Sequence, residues 1–143
     1  MKIVPFGDSA LLVNFEQKID EVINNQVLSL YKQLQEVKEV TFLIPAYCSL
    51  TVGFGTQISF KELSEKIEEL TKKNQSTGLN LNPRLIEIPV CYEAPYALDM
   101  NEVTEKTGLS KQEIINTHCQ ETYKVYMLGF VAGFAYLGSL PEQ

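Results

Sequence analysis

Two segments of the chain have the 3.6-residue periodicity of amphipathic helices. The first, from Ile19 to Val37, carries apolar residues at helical spacing. The second, from Ser59 to Gln75, begins with a capping box made by Ser59 and Glu62 and has one apolar stripe, opposite which glutamates and lysines lie four residues apart. These patterns predict two helices, each with one face available for burial.

Runs rich in strand-forming residues surround the first helix. "SALLVNF" precedes it, and "EVTFLIPA" and "SLTVGFG" follow it, separated by a tight junction that is typical of two adjacent strands. The predicted order of elements is therefore β-α-β-β-α. A polar stretch marked by glycine and proline, from Asn74 to Pro83, then indicates a domain boundary.

The rest of the chain has a second set of elements. "RLIEIPVCY" and "ETYKVYML" predict two strands of this second set, whereas the order β-α-β-β-α(-β) is that of the N-terminal domain. Between them, "LDMNEVTEKTG" and "LSKQEIINTHC" predict two short helices joined at Gly108, which occupies a position that favours a left-handed backbone. Ser110 and Glu113 form a second capping box.

Length and charge restrict the class of protein. The 143 residues are enough for one domain or two small ones. Twelve basic against eighteen acidic residues give a net charge of −6, which disfavours binding to nucleic acid. The helix–glycine–helix segment is similar to a helix-turn-helix, but Lys111 is the only clear cation of its second helix, so two short helices packed on a strand are the better interpretation.

The cysteines and the apolar segments bear on the compartment. Cys48, Cys91 and Cys119 form an odd set without a C-x-x-C motif, which predicts free thiols, no metal site and a cytoplasmic location. The opening residues lack the unbroken apolar stretch of a signal peptide, and "VYMLGFVAGFAYLG" is shorter than the roughly 20 apolar residues that span a bilayer. No membrane association is therefore expected.

His118 is the only histidine and hence the obvious candidate for general acid–base chemistry. Two interpretations are open: a proton-transfer group, or an ordinary surface or hydrogen-bonded histidine. Its neighbour Cys119 is expected to point its side chain away from the imidazole, so the pair does not predict a nucleophile and its base.

The apolar run from Val125 to Gly138 also has two interpretations. Its glycines allow positive φ and close backbone approach, and its aromatic residues supply apolar walls, which suits either a ligand pocket or a buried bend. The run is too aromatic for a dinucleotide-binding fingerprint, and no phosphate-binding loop motif occurs, so the chain has no recognisable ATP site of its own. The candidate pocket residues are Gly129, Phe130, Gly133, Phe134 and Tyr136.

Five blocks in order, "GDSALLVNF", "IPAYCSLTVGF", "IPVCYEAPYALDMNEV", "TGLSKQEIINTH" and "YKVYMLGFVAGFAYLG", resemble the family of the 5-oxoprolinase B subunit, also called the KipI or allophanate hydrolase subunit 1 family. The resemblance implies an α+β sandwich domain over residues 1–82. It also implies the first part of a cyclophilin-like β-barrel over residues 83–143, with the remainder of that domain missing. Ala132 and Ala135 depart from the family pattern, which has prolines there, and so imply a looser loop.

The resemblance further implies an activity. A subunit of this kind acts with a C subunit in an ATP-dependent 5-oxoprolinase that opens 5-oxoproline to glutamate, with ATP used by the assembled complex. On this hypothesis His118 transfers a proton, and the pocket residues named above bind the substrate. The alternatives are a KipI-type inhibitor that docks on a sporulation histidine kinase, and subunit 1 of an allophanate hydrolase.

Unpaired strands near the end of the chain would expose edges and aromatic faces. We therefore expect the chain to self-associate through its C-terminal part by strand addition or swapping.

Overall fold

A four-stranded antiparallel sheet organises the N-terminal part of the chain. The computed structural model describes residues 1–73 and 83–138. The sheet has the order β1-β2-β4-β3, in which every neighbouring pair is antiparallel. Its strands are β1 (Lys2–Pro5), β2 (Ala10–Asn14), β3 (Val40–Pro45) and β4 (Ser49–Phe54).

The core lies on one face of this sheet because apolar residues alternate along its two central strands. Leu11 and Val13 of β2 pair with Val52 and Leu50 of β4, and all four side chains are completely buried. They form one cluster with apolar residues of α1 (Glu21–Leu34) and α2 (Phe60–Lys73). The helical members are Ile23, Val27, Leu30, Leu34, Leu63 and Ile67.

Helix α1 begins where its N-cap satisfies the first backbone donors. The Asp20 carboxylate accepts from the N–H groups of Val22 at 2.8 Å and Ile23 at 3.2 Å. The two faces of the helix differ sharply, since Val27 is fully buried whereas Val22 is 66% exposed. The periodicity of the sequence is thus confirmed as an amphipathic helix.

Helix α2 begins with the predicted capping box. The Glu62 carboxylate accepts from the Ser59 backbone N–H at 2.9 Å, and the Ser59 hydroxyl accepts from the Glu62 N–H at 3.3 Å. Leu63 and Ile67 are fully buried in the shared core. The predicted end of this helix at Gln75 and the predicted boundary segment, residues 74–83, lie almost wholly outside the described residues.

The chain forms two compact units. One consists of the described residues of Met1–Asn80 and Lys124–Gln143, and the other of the described residues of Leu81–Tyr123. The second unit contains α3 (Met100–Thr107) and α4 (Lys111–Gln120), joined at Gly108, whose φ of 71° is left-handed as predicted. The domain limits 1–82 and 83–143 stay a prediction.

Two elements differ from the sequence prediction. The short edge strand β1 was not predicted, because its four residues include Pro5 and carry little pattern. The strand predicted over Arg84–Tyr92 is wrong for this structure, in which that segment has no strand pairing. High strand propensity alone does not form a strand, since its backbone groups need a partner to bond.

The architecture is a mixed α+β one, with antiparallel sheets and four helices among the described residues. The predicted class is confirmed at this level, and the observed N-terminal order is β-β-α-β-β-α rather than β-α-β-β-α. None of the helices in residues 1–73 and 83–138 has the length and apolar character needed to cross a membrane.

Candidate functional site

His118 lies in the last turn of α4 and is held by two tyrosines of the same unit. Its Nδ1 is in short hydrogen-bond contact with the Tyr92 hydroxyl, and its backbone carbonyl accepts from the Tyr123 hydroxyl at 3.2 Å. The imidazole packs edge-on to the Tyr92 ring with centroids 5.8 Å apart, and its centroid is 5.5 Å from that of Tyr123. The exposed histidine is therefore oriented by aromatic neighbours.

Cys119 approaches the same phenol. The Tyr92 oxygen lies 3.6 Å from the Cys119 sulfur. The expectation that the His118 and Cys119 side chains point apart stays a prediction, and successive residues of a helix are rotated by about 100° around its axis. A side chain from outside the helix can therefore contact both.

The Tyr92 hydroxyl is a weak acid in this setting. Its hydrogen bond with the Cys119 thiol, followed by desolvation, raises its pKa to about 12. The phenol therefore keeps its proton at neutral pH and can donate a hydrogen bond.

A capping box sets the start of α4. The Glu113 carboxylate accepts from the Ser110 N–H at 2.8 Å and from the Ser110 hydroxyl at 2.6 Å. Lys111 also pairs with Glu93 at 3.1 Å, which ties the helix to the segment that follows Tyr92. The predicted box is confirmed.

The hydrogen bonds from Ser110 lower the pKa of the Glu113 carboxyl. Because the folded pKa is lower than the unfolded one, the stabilisation is present above the ordinary carboxyl range and is lost as the pH falls through the folded pKa. We expect a carbon-13 NMR titration of Glu113 to show a midpoint below the usual glutamate value. In Ser110→Ala the midpoint should return upwards, and an unchanged midpoint would contradict this assignment.

The glycine-rich run forms a hairpin in the other unit. Its strands are β5 (Val125–Leu128) and β6 (Ala135–Leu137), which pair antiparallel. The Gly138 N–H donates to the Lys124 carbonyl at 3.3 Å and closes the base. The tip, residues 129–134, contains most of the predicted pocket residues.

The tip has an unusual backbone. Phe130 has a φ of 61°, and the N–H of Val131 donates to the Gly129 carbonyl at 2.7 Å, which is a γ-turn with positive φ at its centre. Gly133 has a φ of 81° in the next turn, where the Phe134 N–H donates to the Val131 carbonyl at 3.0 Å. A phenylalanine with positive φ is costly, and such strain is found preferentially at functional sites.

The predicted pocket residues differ in their exposure. The Phe130 side chain is 93% exposed, so a buried bend does not describe this position. The rings of Phe134 and Tyr136 contact each other edge-on, with centroids 5.1 Å apart. His118 belongs to the other compact unit, and its role and those of the pocket residues stay predictions.

Sequence reasoning missed Tyr92, which contacts His118, and Asn24, which donates a hydrogen bond to the hairpin strand that leads to the tip. Tyr92 lies 26 residues before His118, and Asn24 lies 102 residues before its hydrogen-bond partner Tyr126. A local sequence pattern cannot predict contacts between residues that lie so far apart along the chain. In the part of the chain that the structure describes, no group of three or more histidine, cysteine or acidic side chains is arranged to hold a metal ion.

Known proteins resemble this chain over nearly its whole length. The family model described as "Carboxyltransferase domain, subdomain C and D" matches residues 1–143. A protein named as the B subunit of 5-oxoprolinase, from Bacillus subtilis (strain 168), is 34% identical in an alignment 154 positions long, which covers 99% of this chain and 64% of the relative. A protein of the same name from Haemophilus influenzae is 32% identical, with 100% of this chain and 66% of the relative covered.

A solved structure supports the fold. The crystal structure of TTHA0988 in space group P212121 matches with a TM-score of 0.74 and 26% identity, over 92% of this chain and 26% of that one. The chain spans 64% and 66% of the length of the two curated relatives. Three relatives of this chain are named as B subunits of 5-oxoprolinase. The family match and these identities show that the chain belongs to the carboxyltransferase domain, subdomain C and D family.

Proposed function

We propose that this chain acts as the B component of an ATP-dependent 5-oxoprolinase, which opens 5-oxoproline to L-glutamate together with a C subunit. The observation that carries the proposal is the identity of 32–34% with three proteins named as the B subunit of 5-oxoprolinase, each aligned over at least 96% of this chain. Those names favour an enzyme subunit over an inhibitor of a histidine kinase.

Opening a lactam requires that water add to the carbonyl carbon, that the ring carbon–nitrogen bond break and that the nitrogen leave with a proton. ATP, used by the assembled complex, would activate the carbonyl by phosphorylating its oxygen, and the phosphate is released when water has supplied the carboxylate oxygen. No phosphate-binding loop motif occurs in this chain, so we assign it no step with the nucleotide. Its own contribution is to bind the lactam and to deliver a proton.

His118 is our candidate for the proton donor. In the protonated imidazole both ring nitrogens carry a hydrogen, so Nδ1–H can donate to the Tyr92 oxygen while the phenol itself can donate to the Cys119 sulfur. Transfer of the Nε2 proton to the leaving nitrogen then leaves a neutral imidazole. Tyr92 is the positioning residue that fixes the orientation of the ring.

The tip of the hairpin is our candidate for the substrate site. The lactam ring has two apolar faces, which the rings of Phe130, Phe134 and Tyr136 can cover. The glycines at 129 and 133 leave the backbone accessible beside those rings. The strained backbone of Phe130 supports a role of this kind, since strain persists where function requires the conformation.

The experiment compares two substrates. The chain is mixed with a purified C subunit, ATP and either 5-oxoproline or allophanate, and the products are quantified. We expect glutamate to form from 5-oxoproline. With allophanate, we expect ATP to be hydrolysed no faster than in the absence of a substrate. A preference for allophanate would assign the chain to the hydrolase alternative. Inhibition of histidine-kinase autophosphorylation, without any turnover, would assign it to the KipI alternative.

We also propose that residues 83–143 form the first part of a cyclophilin-like domain. The support is the segment Arg84–Val90, which carries strand-forming residues whose apolar side chains are exposed, with Leu85 at 76% and Ile88 at 75%. Contiguous apolar exposure of this kind marks a surface that another strand or chain covers.

We expect the isolated chain to self-associate through this exposed segment and the rest of its C-terminal part. Light scattering across a dilution series should show an apparent mass that rises with concentration. Ile88→Lys should lower this tendency because it places a charge on the apolar segment, whereas Ile19→Lys, at another exposed isoleucine, should not. A monomer at every concentration would contradict the prediction.

A further inference from the structure

The hairpin β5–β6 is tied at both of its strands to residues from the first third of the chain. The Asn24 Nδ2 of α1 donates to the Tyr126 carbonyl in β5 at 3.3 Å. The Tyr47 hydroxyl, from the turn between β3 and β4, donates to the Leu137 carbonyl in β6 at 2.7 Å. Each strand of the hairpin thus has its own hydrogen bond to the N-terminal part of the chain, one to α1 and one to the β3–β4 turn.

Asn24 acts through its amide protons. It is a polar residue with no exposed surface, and Nδ2 also donates to the carbonyls of Ala46 at 3.3 Å and Tyr47 at 3.2 Å. Two N–H groups are therefore shared among three carbonyls. Its Oδ1 accepts from none of the described residues. A buried amide used only as a donor joins α1, the β3–β4 turn and β5 at one point.

Aromatic and charged contacts surround this point. The Tyr47 ring lies 5.3 Å from that of Tyr126 and meets that of Tyr136 edge-on at 6.2 Å. Lys124 pairs with Glu21 at 3.3 Å and lies above the Tyr126 ring. The base of the hairpin is therefore held to the first turns of α1 and to the β3–β4 turn.

The tip, in contrast, is closed by its own hydrogen bonds. The Gly129 N–H donates to the Phe134 carbonyl at 3.1 Å, in addition to the two turn bonds described above. The internal shape of the tip is set by hydrogen bonds within the tip, whereas its position depends on the contacts at the base of the hairpin. Loss of those contacts would displace a tip that keeps its own shape.

We infer that Asn24 and Tyr47 are positioning residues that set where the hairpin tip presents Gly129, Phe130 and Gly133 to the ligand. The clasp, defined as Asn24 and Tyr47 with their bonds to Tyr126 and Leu137, stands on the geometry alone. Its consequence for lactam binding rests on the proposed function.

Hydrogen exchange measured by mass spectrometry tests the clasp without any ligand. In Asn24→Ala and in Tyr47→Phe we expect peptides covering residues 124–138 to exchange about 5- to 10-fold faster, because each change removes a hydrogen bond at the base. Peptides covering β2 and β4 should keep their protection. Two matched controls should leave the exchange of residues 124–138 unchanged. They are Gln26→Ala, at an exposed residue of the same helix, and Tyr31→Phe, which also removes one phenolic hydroxyl.

If Asn24→Ala unfolds the protein, Tyr47→Phe still tests the clasp. It deletes a single exposed hydroxyl, so the protein should remain folded. Unchanged exchange of residues 124–138 in Tyr47→Phe, or an equal increase in β2 and β4, would overturn the clasp. We expect residues 124–138 to exchange at least as fast in Asn24→Asp as in Asn24→Ala, because a carboxylate would face three carbonyl oxygens. Full protection of the hairpin in Asn24→Asp would also overturn the donor role.

Steady-state kinetics with the C subunit and ATP test the consequence for the ligand. Tyr47→Phe should raise KM for 5-oxoproline about 5-fold, because the tip that binds the lactam is held less firmly, while kcat changes less than about 2-fold, because the substitution leaves His118 and its contacts with Tyr92 and Tyr123 unaltered. An unchanged KM beside faster hairpin exchange would remove the link to binding. If the wild-type chain gives no turnover, the proposed function fails, and the exchange data still decide the clasp.

Discussion

Replacing His118 with alanine is expected to lower kcat for glutamate release about 100- to 10,000-fold, the usual contribution of a positioned acid–base group. The leaving nitrogen of the lactam would then have to take its proton from water. The hydrogen bond with Tyr92 and the ring contacts with Tyr92 and Tyr123 indicate that the imidazole is held in one orientation, which a freely moving surface histidine would not be. The measurement is the steady-state rate with the C subunit, ATP and 5-oxoproline.

Chemical rescue separates catalysis from folding. Added imidazole should restore part of the rate of His118→Ala, whereas it should not affect Asn116→Ala, a change at an exposed residue of the same helix. A fall of less than about 3-fold in His118→Ala would show that this histidine has only a structural role.

Replacing Val27 with alanine is expected to lower the free energy of unfolding by about 2–3 kcal/mol. Val27 is fully buried among the core residues of α1, so its loss removes apolar contacts and leaves a cavity. Urea denaturation followed by circular dichroism provides the measurement.

Val22→Ala is the matched control, because the same substitution occurs on the same helix at a side chain that is 66% exposed. Any gain in helix propensity is shared by the two variants and cancels in their difference. Val22→Ala should change the unfolding free energy by less than about 0.5 kcal/mol. Equal effects of the two changes would contradict the placement of α1 against the sheet.

The regular elements could be predicted because their signals are local. The helical periodicity of α1, the capping boxes at Ser59 and Ser110 and the glycine at 108 all act within a few residues. Arg84–Tyr92 shows the limit of such signals, since its strand-forming residues depend on a partner strand. Local sequence describes what a segment can form and does not identify its neighbours.

The candidate site was predictable in its residue types but not in its arrangement. His118 and the glycine-rich run could be selected from composition, because one histidine and one aromatic, glycine-punctuated segment occur near the end of the chain. The shared contact at Tyr92 and the clasp at Asn24 arise from tertiary packing, and so does the positive φ of Phe130. Phenylalanine has no preference for that conformation, so its identity gives no signal.

Glutamate formation measured in a two-component assay tests the proposed role most directly. Purified chain and purified C subunit are incubated with ATP and 5-oxoproline, separately and together, and glutamate is quantified over time. We expect glutamate only when both proteins and ATP are present, at a rate that follows the concentration of the limiting protein. Absence of glutamate in the complete mixture, or an equal rate from the C subunit alone, would contradict the proposed role.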